Sequence, residues 1–212
     1  MKNLKRNMDI PFAQQICGVV AESTSQFGSR SSKRTDAFHR IFKQEIERMN
    51  PTVRCEIEYI FKIETGIYTC DLVVVSAENK ILACISTKAT MTNYKQNKTN
   101  LENVKLGELL KMRDGAPSAA YIFFDVLPVE CPYYSRDGIV QKMESINVEK
   151  TKQQQAALVR LCEKQGIPTK IFSIFAKYDY PEKGRIVLDA VMNEDDMEPF
   201  YTFIRSLGRE SV

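Results

Sequence analysis

Two near-continuous apolar runs, separated by a short polar turn, constrain the fold of this chain more than any other feature. The first run covers 69–76 (TCDLVVVS), the second covers 81–88 (ILACISTK), and the turn between them is Ser76–Lys80. Runs of this length without polar alternation are typical of strands that are covered on both faces. Because the turn is too short for a crossover, we predict two adjacent antiparallel strands at the centre of a sheet.

The flanking segments predict a mixed α/β fold. Apolar and polar residues alternate over 53–63, which indicates a strand with one polar face. Helices are predicted at 10–25, 35–49, 93–113, 149–165 and 195–207, and further strands at 118–127, 169–179 and 185–192, whereas 128–148 is predicted to be mostly loop. The helix after the second apolar run can cross over, so that the next strand pairs in parallel. We see no linker or repeat, and expect one domain over 1–212 with a mixed central β-sheet flanked by helices.

Composition limits the partners and the chemistry. The chain has 212 residues, a formal net charge of +3 and 27% charged residues, which allows a nucleic-acid partner without requiring one. A single histidine, His39, argues against a histidine-rich metal site or a Ser-His-Asp triad. The cysteines lack CxxC spacing and are predicted to be buried free thiols of a cytoplasmic protein: Cys17, Cys55, Cys70, Cys84, Cys131 and Cys162. Neither a signal peptide nor a membrane span is predicted.

Charged residues stand at the polar ends of the two apolar runs. If Ser76 and Ile81 flank the turn as a pair, Asp71 lies opposite Ser86, and Lys88 lies two residues further on the same face. A carboxylate can bind Mg²⁺, which polarises a phosphate and helps to deprotonate water, and a lysine can stabilise the charge that develops on the phosphate. We therefore predict a metal-assisted phosphodiesterase site. One carboxylate rarely holds Mg²⁺ alone, and Ser86 is a poor ligand.

Asp71 and the Ser86-Thr87-Lys88 sequence resemble the active-site motif of the PD-(D/E)xK nuclease superfamily, and the strand-strand-strand-helix-strand order resembles its core. The chain departs from that pattern at Thr69-Cys70, where the family has a proline before the aspartate, and at Ser86, where it has an acid. The same Ser-x-Lys variant occurs in type II restriction endonucleases that read CCGG- and CCNGG-containing sites. In that branch the missing acid comes from the following helix, and Glu102 stands at a similar spacing, with thirteen residues between it and Lys88.

This resemblance implies a restriction-endonuclease-like fold and an Mg²⁺-dependent enzyme that cuts double-stranded DNA at a specific sequence and leaves 5′-phosphates. Asp71 and Glu102 would bind the metal, Lys88 would orient the attacking water, and Ser86 would occupy the variant acid position. A homodimer is expected, because one site cuts one strand and a palindromic target matches a two-fold axis. Two alternatives stay open: a repair or phage nuclease of the same superfamily, and a non-catalytic DNA-binding module that has kept the fold.

The second acid has a rival. On a helical wheel Glu108 falls on the apolar stripe with Leu101, Val104 and Met112, where an unpaired glutamate is out of place. Glu108 is therefore the alternative to Glu102 as a metal ligand. Glu45, on the apolar side of the second helix, is a further candidate.

Basic and amide side chains predict where DNA is held. The first candidates are Arg30, Lys33 and Arg34 in the segment 28–34. The others lie at the start of the predicted helix 93–113: Asn93, Tyr94, Lys95, Gln96, Asn97 and Lys98. Lysines supply phosphate contacts and amides can read adenine, while the N-terminus of that helix favours a phosphate. A solvated helix without any DNA contact explains the same residues.

Overall fold

The computed structural model describes residues 11–27, 33–135, 139–182, 185–190 and 194–209. Its strands are β1 (Val53–Ile63), β2 (Gly66–Ser76), β3 (Ile81–Ala89), β4 (Ala120–Pro128), β5 (Glu130–Tyr134), β6 (Val140–Ser145), β7 (Thr169–Glu182) and β8 (Arg185–Ala190). The helices are α1 (Phe12–Phe27), α2 (Lys33–Met49), α3 (Tyr94–Gly115), α4 (Val148–Lys164) and α5 (Glu198–Ser206), with a 3₁₀ turn at Glu194–Met197. Among the described helices, none combines the length and the apolar character that a bilayer crossing requires.

Six strands form the central sheet in the order β1-β2-β3-β4-β7-β8. The first three make an antiparallel meander, β3, β4 and β7 run parallel, and β8 returns antiparallel to β7. Helix α3 supplies the crossover from β3 to β4, as the sequence predicts. The expected α/β class, a mixed central sheet flanked by helices, is confirmed and is consistent with a restriction-endonuclease-like fold.

The prediction that 128–148 is mostly loop is wrong, because the segment contains the antiparallel hairpin of β5 and β6. Val140 and Met143 of β6 are largely exposed, so the usual alternation of buried and exposed residues is missing. The hairpin packs against the start of α3: the Asn93 backbone N–H donates to the Pro132 carbonyl at 3.1 Å. The buried Glu144 carboxylate accepts a hydrogen bond from the Lys95 backbone N–H at 3.2 Å.

Both faces of the sheet are covered, which is why β2 and β3 lack polar alternation. One face packs against α1, α2 and α5, and the other against α3 and α4. An aromatic cluster fills the first layer, where the Phe42 ring lies 4.5 Å from that of Phe124 and 5.2 Å from that of Phe12, measured between centroids. The six cysteines are all buried and free, as predicted.

Replacing Phe42 with alanine is expected to lower the free energy of unfolding by about 3–5 kcal/mol, because the ring is fully buried and packed on three sides. Phe27, which is 43% exposed at the end of α1, provides the matched control. Its replacement by alanine is expected to change the stability by no more than about 0.5 kcal/mol. Urea unfolding followed by circular dichroism measures both; equal losses would contradict the assigned core.

Candidate active site

The register between β2 and β3 brings the charged residues together. Leu72 pairs with Ile85, Val73 with Cys84 and Val74 with Ala83, which is the predicted register. The next position along this ladder places Asp71 beside Ser86. Near the turn the prediction is wrong, because the ladder shifts between Val74 and Val75. The irregularity lies on the side of the ladder away from Asp71 and leaves the predicted grouping intact.

Asp71 lies at a gap in the β1–β2 ladder, between the Ile57–Leu72 and Tyr59–Cys70 pairs, and one position beyond Leu72–Ile85, the last described pair at that end of the β2–β3 ladder. Its carboxylate Oδ2 accepts hydrogen bonds from the backbone N–H of Thr87 at 2.7 Å and from the Thr87 hydroxyl at 3.2 Å. The side chain thus takes the place of a backbone acceptor next to β3. The other oxygen, Oδ1, receives no hydrogen bond from the described part of the chain, so it is left for a ligand.

Glu108 of α3 joins the helix to the end of β3. Its Oε1 accepts from Lys88 Nζ at 2.7 Å, and its Oε2 accepts from the Ser86 hydroxyl at 2.7 Å. The Lys88 and Glu108 side chains are 26% and 19% exposed, so the ion pair faces a solvent-reached opening. The structure therefore brings Ser86, Lys88 and Glu108 into direct contact.

Glu102 is placed differently. It is exposed, and it forms no hydrogen bond or ion pair with any residue for which the structure gives a side chain. Glu102 is six positions before Glu108 on α3, so the two side chains point in directions about 240° apart around the helix axis. Val104, which was predicted to share an apolar stripe with Glu108, is instead 39% exposed. The neighbouring Lys105 is buried and faces the sheet in place of Val104.

Glu45 is not joined to this cluster. Both of its carboxylate oxygens accept hydrogen bonds from Arg48 on the same helix, at 2.7 and 2.8 Å. The ion pair occupies both oxygens that a metal would need.

A cavity of about 370 Å³ opens beside Lys88, between α3 and α4. Its walls include Lys88, Glu102 and Leu158, and its floor carries the buried Asp125. Asp125 forms an ion pair with Lys105 and accepts a hydrogen bond from Gln155 Nε2 at 3.1 Å. In the parallel ladder Lys88 pairs with Asp125, so this buried charge pair adjoins the partly exposed Lys88–Glu108 pair.

The predicted DNA contacts fall into three groups. Arg30 lies outside the described residues, as do the side chains of Lys33 and Arg34. Lys95, Gln96 and Asn97 are exposed on the first turn of α3, Asn93 is half-buried at its N-cap, and the half-buried Lys98 donates to Gln154 of α4.

Two of the DNA-binding expectations need correction. Tyr94 is only 7% exposed and packs in a cluster with Leu127 and Cys131, so its ring serves the core. At the N-terminus of α3 one of the donors expected for a phosphate is already used, because the carboxylate of Glu144 accepts from the Lys95 N–H.

Two neighbours of Asp71 were missed by sequence reasoning. Glu58 was predicted to lie on a solvated face and is exposed. Its backbone φ of 54° interrupts the β1–β2 ladder between the Ile57–Leu72 and Tyr59–Cys70 pairs, opposite Asp71. His39 was considered only as a ligand or triad member. Its Nε2 lies 2.9 Å from the Thr87 hydroxyl oxygen. The available signal for a core position was the place of His39 on α2, one residue after buried Phe38 and three residues before buried Phe42.

The two carboxylates fit Mg²⁺ in type and number. Burial raises the pKa of Tyr68, and the neighbouring Cys70, Glu108 and Asp71 act in the same direction. Mg²⁺ is commonly held by one or two carboxylates together with water and substrate phosphates. Within the ranges that the structure describes, no cluster of three or more His, Cys, Asp or Glu residues is arranged to hold a metal, so the candidate set is the pair Asp71 and Glu108.

Burial lowers the pKa of His39, while the negative charges of Asp71, Glu58 and Asp36 act in the opposite direction. The unfolded chain then binds a proton more readily than the folded chain. Stability from the neutral imidazole is present above the unfolded pKa of about 6.5 and is lost as the pH falls from there towards the lower folded pKa.

Wild-type protein is therefore expected to lose more unfolding free energy than His39→Gln between pH 7.5 and pH 5.5. Since His39 is the single histidine of the chain, the difference between the two proteins isolates its proton. Urea unfolding at a series of pH values measures the effect. Parallel pH profiles for the two proteins would show that His39 titrates normally.

Comparisons with known proteins gave one match among solved structures. No family model matches the chain, and no curated protein matches it. Among solved structures, the cryo-EM structure of a DrdV–DNA complex superposes with a TM-score of 0.41 and 15% sequence identity. The match covers 71% of this chain and 13% of the DrdV chain, so this protein corresponds to a small part of that one.

Proposed function

We propose that the protein is an Mg²⁺-dependent endonuclease that hydrolyses phosphodiester bonds of double-stranded DNA. The observation that supports this most strongly is the pairing of Glu108 with both Ser86 and Lys88, beside Asp71 on the neighbouring strand. The carboxylates of Asp71 and Glu108 and the ammonium group of Lys88 thus lie together at an edge of the sheet that solvent reaches. The Ser-x-Lys resemblance anticipates an acid from the following helix, and the contacts of Glu108 with Ser86 and Lys88 support Glu108 over Glu102 for that role.

In the proposed mechanism Asp71 and Glu108 hold the metal ion. Mg²⁺, when bound, polarises the phosphate and makes a coordinated water more acidic. Lys88 donates hydrogen bonds to the attacking water and to a non-bridging phosphate oxygen, where negative charge increases in the transition state. Water attacks phosphorus, the bond from phosphorus to O3′ breaks, and the products carry a 5′-phosphate and a 3′-hydroxyl.

Ser86 contributes by positioning. The Ser86 hydroxyl donates to Glu108 Oε2. Ser86 is itself a poor Mg²⁺ ligand, but this hydrogen bond fixes the orientation of the Glu108 carboxylate, which would replace the family's acid. Ser86 is 1% exposed, and its hydroxyl must be the donor because an ionised carboxylate can only accept. Ser86 would therefore orient Glu108, and Glu108 would bind the metal.

We further propose that the enzyme is a type II restriction endonuclease acting as a homodimer. Exposed Lys95, Gln96 and Asn97 would face the DNA from the first turn of α3, with lysine on phosphate and the amides on base edges. A two-fold symmetric dimer would place one site on each strand of a palindromic target.

Asp71→Asn, Lys88→Ala and Glu108→Gln are each expected to slow DNA cleavage by about 100-fold or more, because each removes a charge that acts on the reacting phosphate or its metal. Glu102→Gln, on the same helix but outside the contact network, is the matched control and is expected to cut like wild type. Conversion of supercoiled plasmid to nicked and linear forms, in Mg²⁺ and in EDTA, measures the rates.

Different failures of this experiment have different meanings. Undiminished cutting by Asp71→Asn or Lys88→Ala would refute the site, and loss in Glu102→Gln with retention in Glu108→Gln would exchange the two acids. Wild-type protein that binds diverse DNA and never cuts it would favour the non-catalytic module. Cutting only at branched or damaged DNA would favour a repair or phage nuclease.

A further inference from the structure

A chain of hydrogen bonds leads from Asp71 into the protein core. Asp71 Oδ2 accepts from the hydroxyl and the backbone N–H of Thr87, and the Thr87 hydroxyl oxygen lies 2.9 Å from His39 Nε2. Thr87 and His39 are 3% and 4% exposed. Neither side chain can therefore reach a DNA phosphate, so any contribution to the site passes through Asp71.

Hydrogen-bond inventory fixes the direction of this chain. A threonine hydroxyl has one proton, and here it is donated to the carboxylate. The oxygen can then only accept from His39, which requires the proton of the neutral imidazole to reside on Nε2. His39 Nδ1 is left as a buried acceptor without a partner among the described residues.

We propose that His39 and Thr87 are positioning residues that fix the carboxylate of Asp71 for metal binding. This inference rests on the proposed function. Two donors from Thr87 converge on Oδ2, which holds the carboxylate plane and presents Oδ1 to the cation. The imidazole N–H prevents the threonine hydroxyl from rotating away from Asp71. With the hydroxyl removed, the carboxylate retains one backbone hydrogen bond about which it can turn.

Paired variants separate this role from simple packing. Thr87→Val keeps the shape and loses the hydroxyl, whereas Thr87→Ser keeps the hydroxyl. His39→Leu loses the donor, whereas the amide of His39→Gln can supply an N–H near the Nε2 position. Thr24→Val is the matched control, because Thr24 is also buried and its hydroxyl has no partner among the described residues.

Thr87→Val and His39→Leu are expected to weaken metal binding about tenfold, as is typical for residues that orient a metal ligand. Mn²⁺ titration without DNA, followed by electron paramagnetic resonance, measures the affinity directly. The Mg²⁺ concentration for half-maximal cleavage is expected to rise in parallel, with the rate at saturating Mg²⁺ much less affected. Thr87→Ser, His39→Gln and Thr24→Val are expected to bind like wild type.

The histidine tautomer is tested on the unmodified protein. Nitrogen chemical shifts of the single histidine are expected to show a protonated Nε2 and an unprotonated Nδ1 at neutral pH. The opposite tautomer would overturn the proposed hydrogen-bond chain without requiring any variant to fold.

The outcomes distinguish this inference from the proposed function. If wild type binds Mn²⁺ and cuts DNA, while Thr87→Val and His39→Leu show unchanged affinity or only a lower melting temperature, the positioning role is refuted and the function stands. If wild type neither binds Mn²⁺ nor cuts DNA, the proposed function is refuted, and the positioning role is refuted with it.

Discussion

The hydrogen-bond register between β2 and β3 is the constraint on which the candidate site depends. A slip of one residue would move every side chain of β3 to the opposite face. Ser86 and Lys88 would then point towards α1 and α2, and Thr87 would face Glu108 in their place. The register is held by the covered apolar residues on both faces, since a slip would exchange the partners of Leu72, Ile85 and their neighbours in two separate cores.

Two faces of one strand therefore serve the same site in different ways. Ser86 and Lys88 reach Glu108 on the α3 side, and Thr87 reaches His39 on the α2 side. Asp71 lies between these groups, at a gap in the β1–β2 ladder and one position beyond the last described β2–β3 pair. The positive φ of Glu58 breaks the β1–β2 ladder opposite Asp71, and the Asp71 carboxylate accepts a hydrogen bond from the Thr87 backbone N–H of the neighbouring strand β3.

Much of this arrangement could be predicted from the sequence, and the exceptions have physical reasons. Strand positions, the parallel crossover and the pairing of Asp71 with Ser86 follow from apolar runs and a short turn, which are local signals. The choice between Glu102 and Glu108 depends on how α3 rotates against the sheet. Lys105, Leu109 and Met112 face the interior, and Lys105 pairs with Asp125, a contact between elements that no helical wheel contains. The β5–β6 hairpin was missed because its exposed apolar residues break the alternation that marks a strand.

Helix α3 is anchored at two distant places. Its first turn is tied to the β5–β6 hairpin through Glu144, and Glu108 is tied to β3 through Ser86 and Lys88. The two anchors are separated by thirteen residues, or about 20 Å of helix. A helix is stiff over this length, so any movement of the hairpin that displaces the first turn also displaces the Glu108 carboxylate. The hairpin and the candidate site are therefore linked through a single stretch of α3, and among the described side chains none joins them directly.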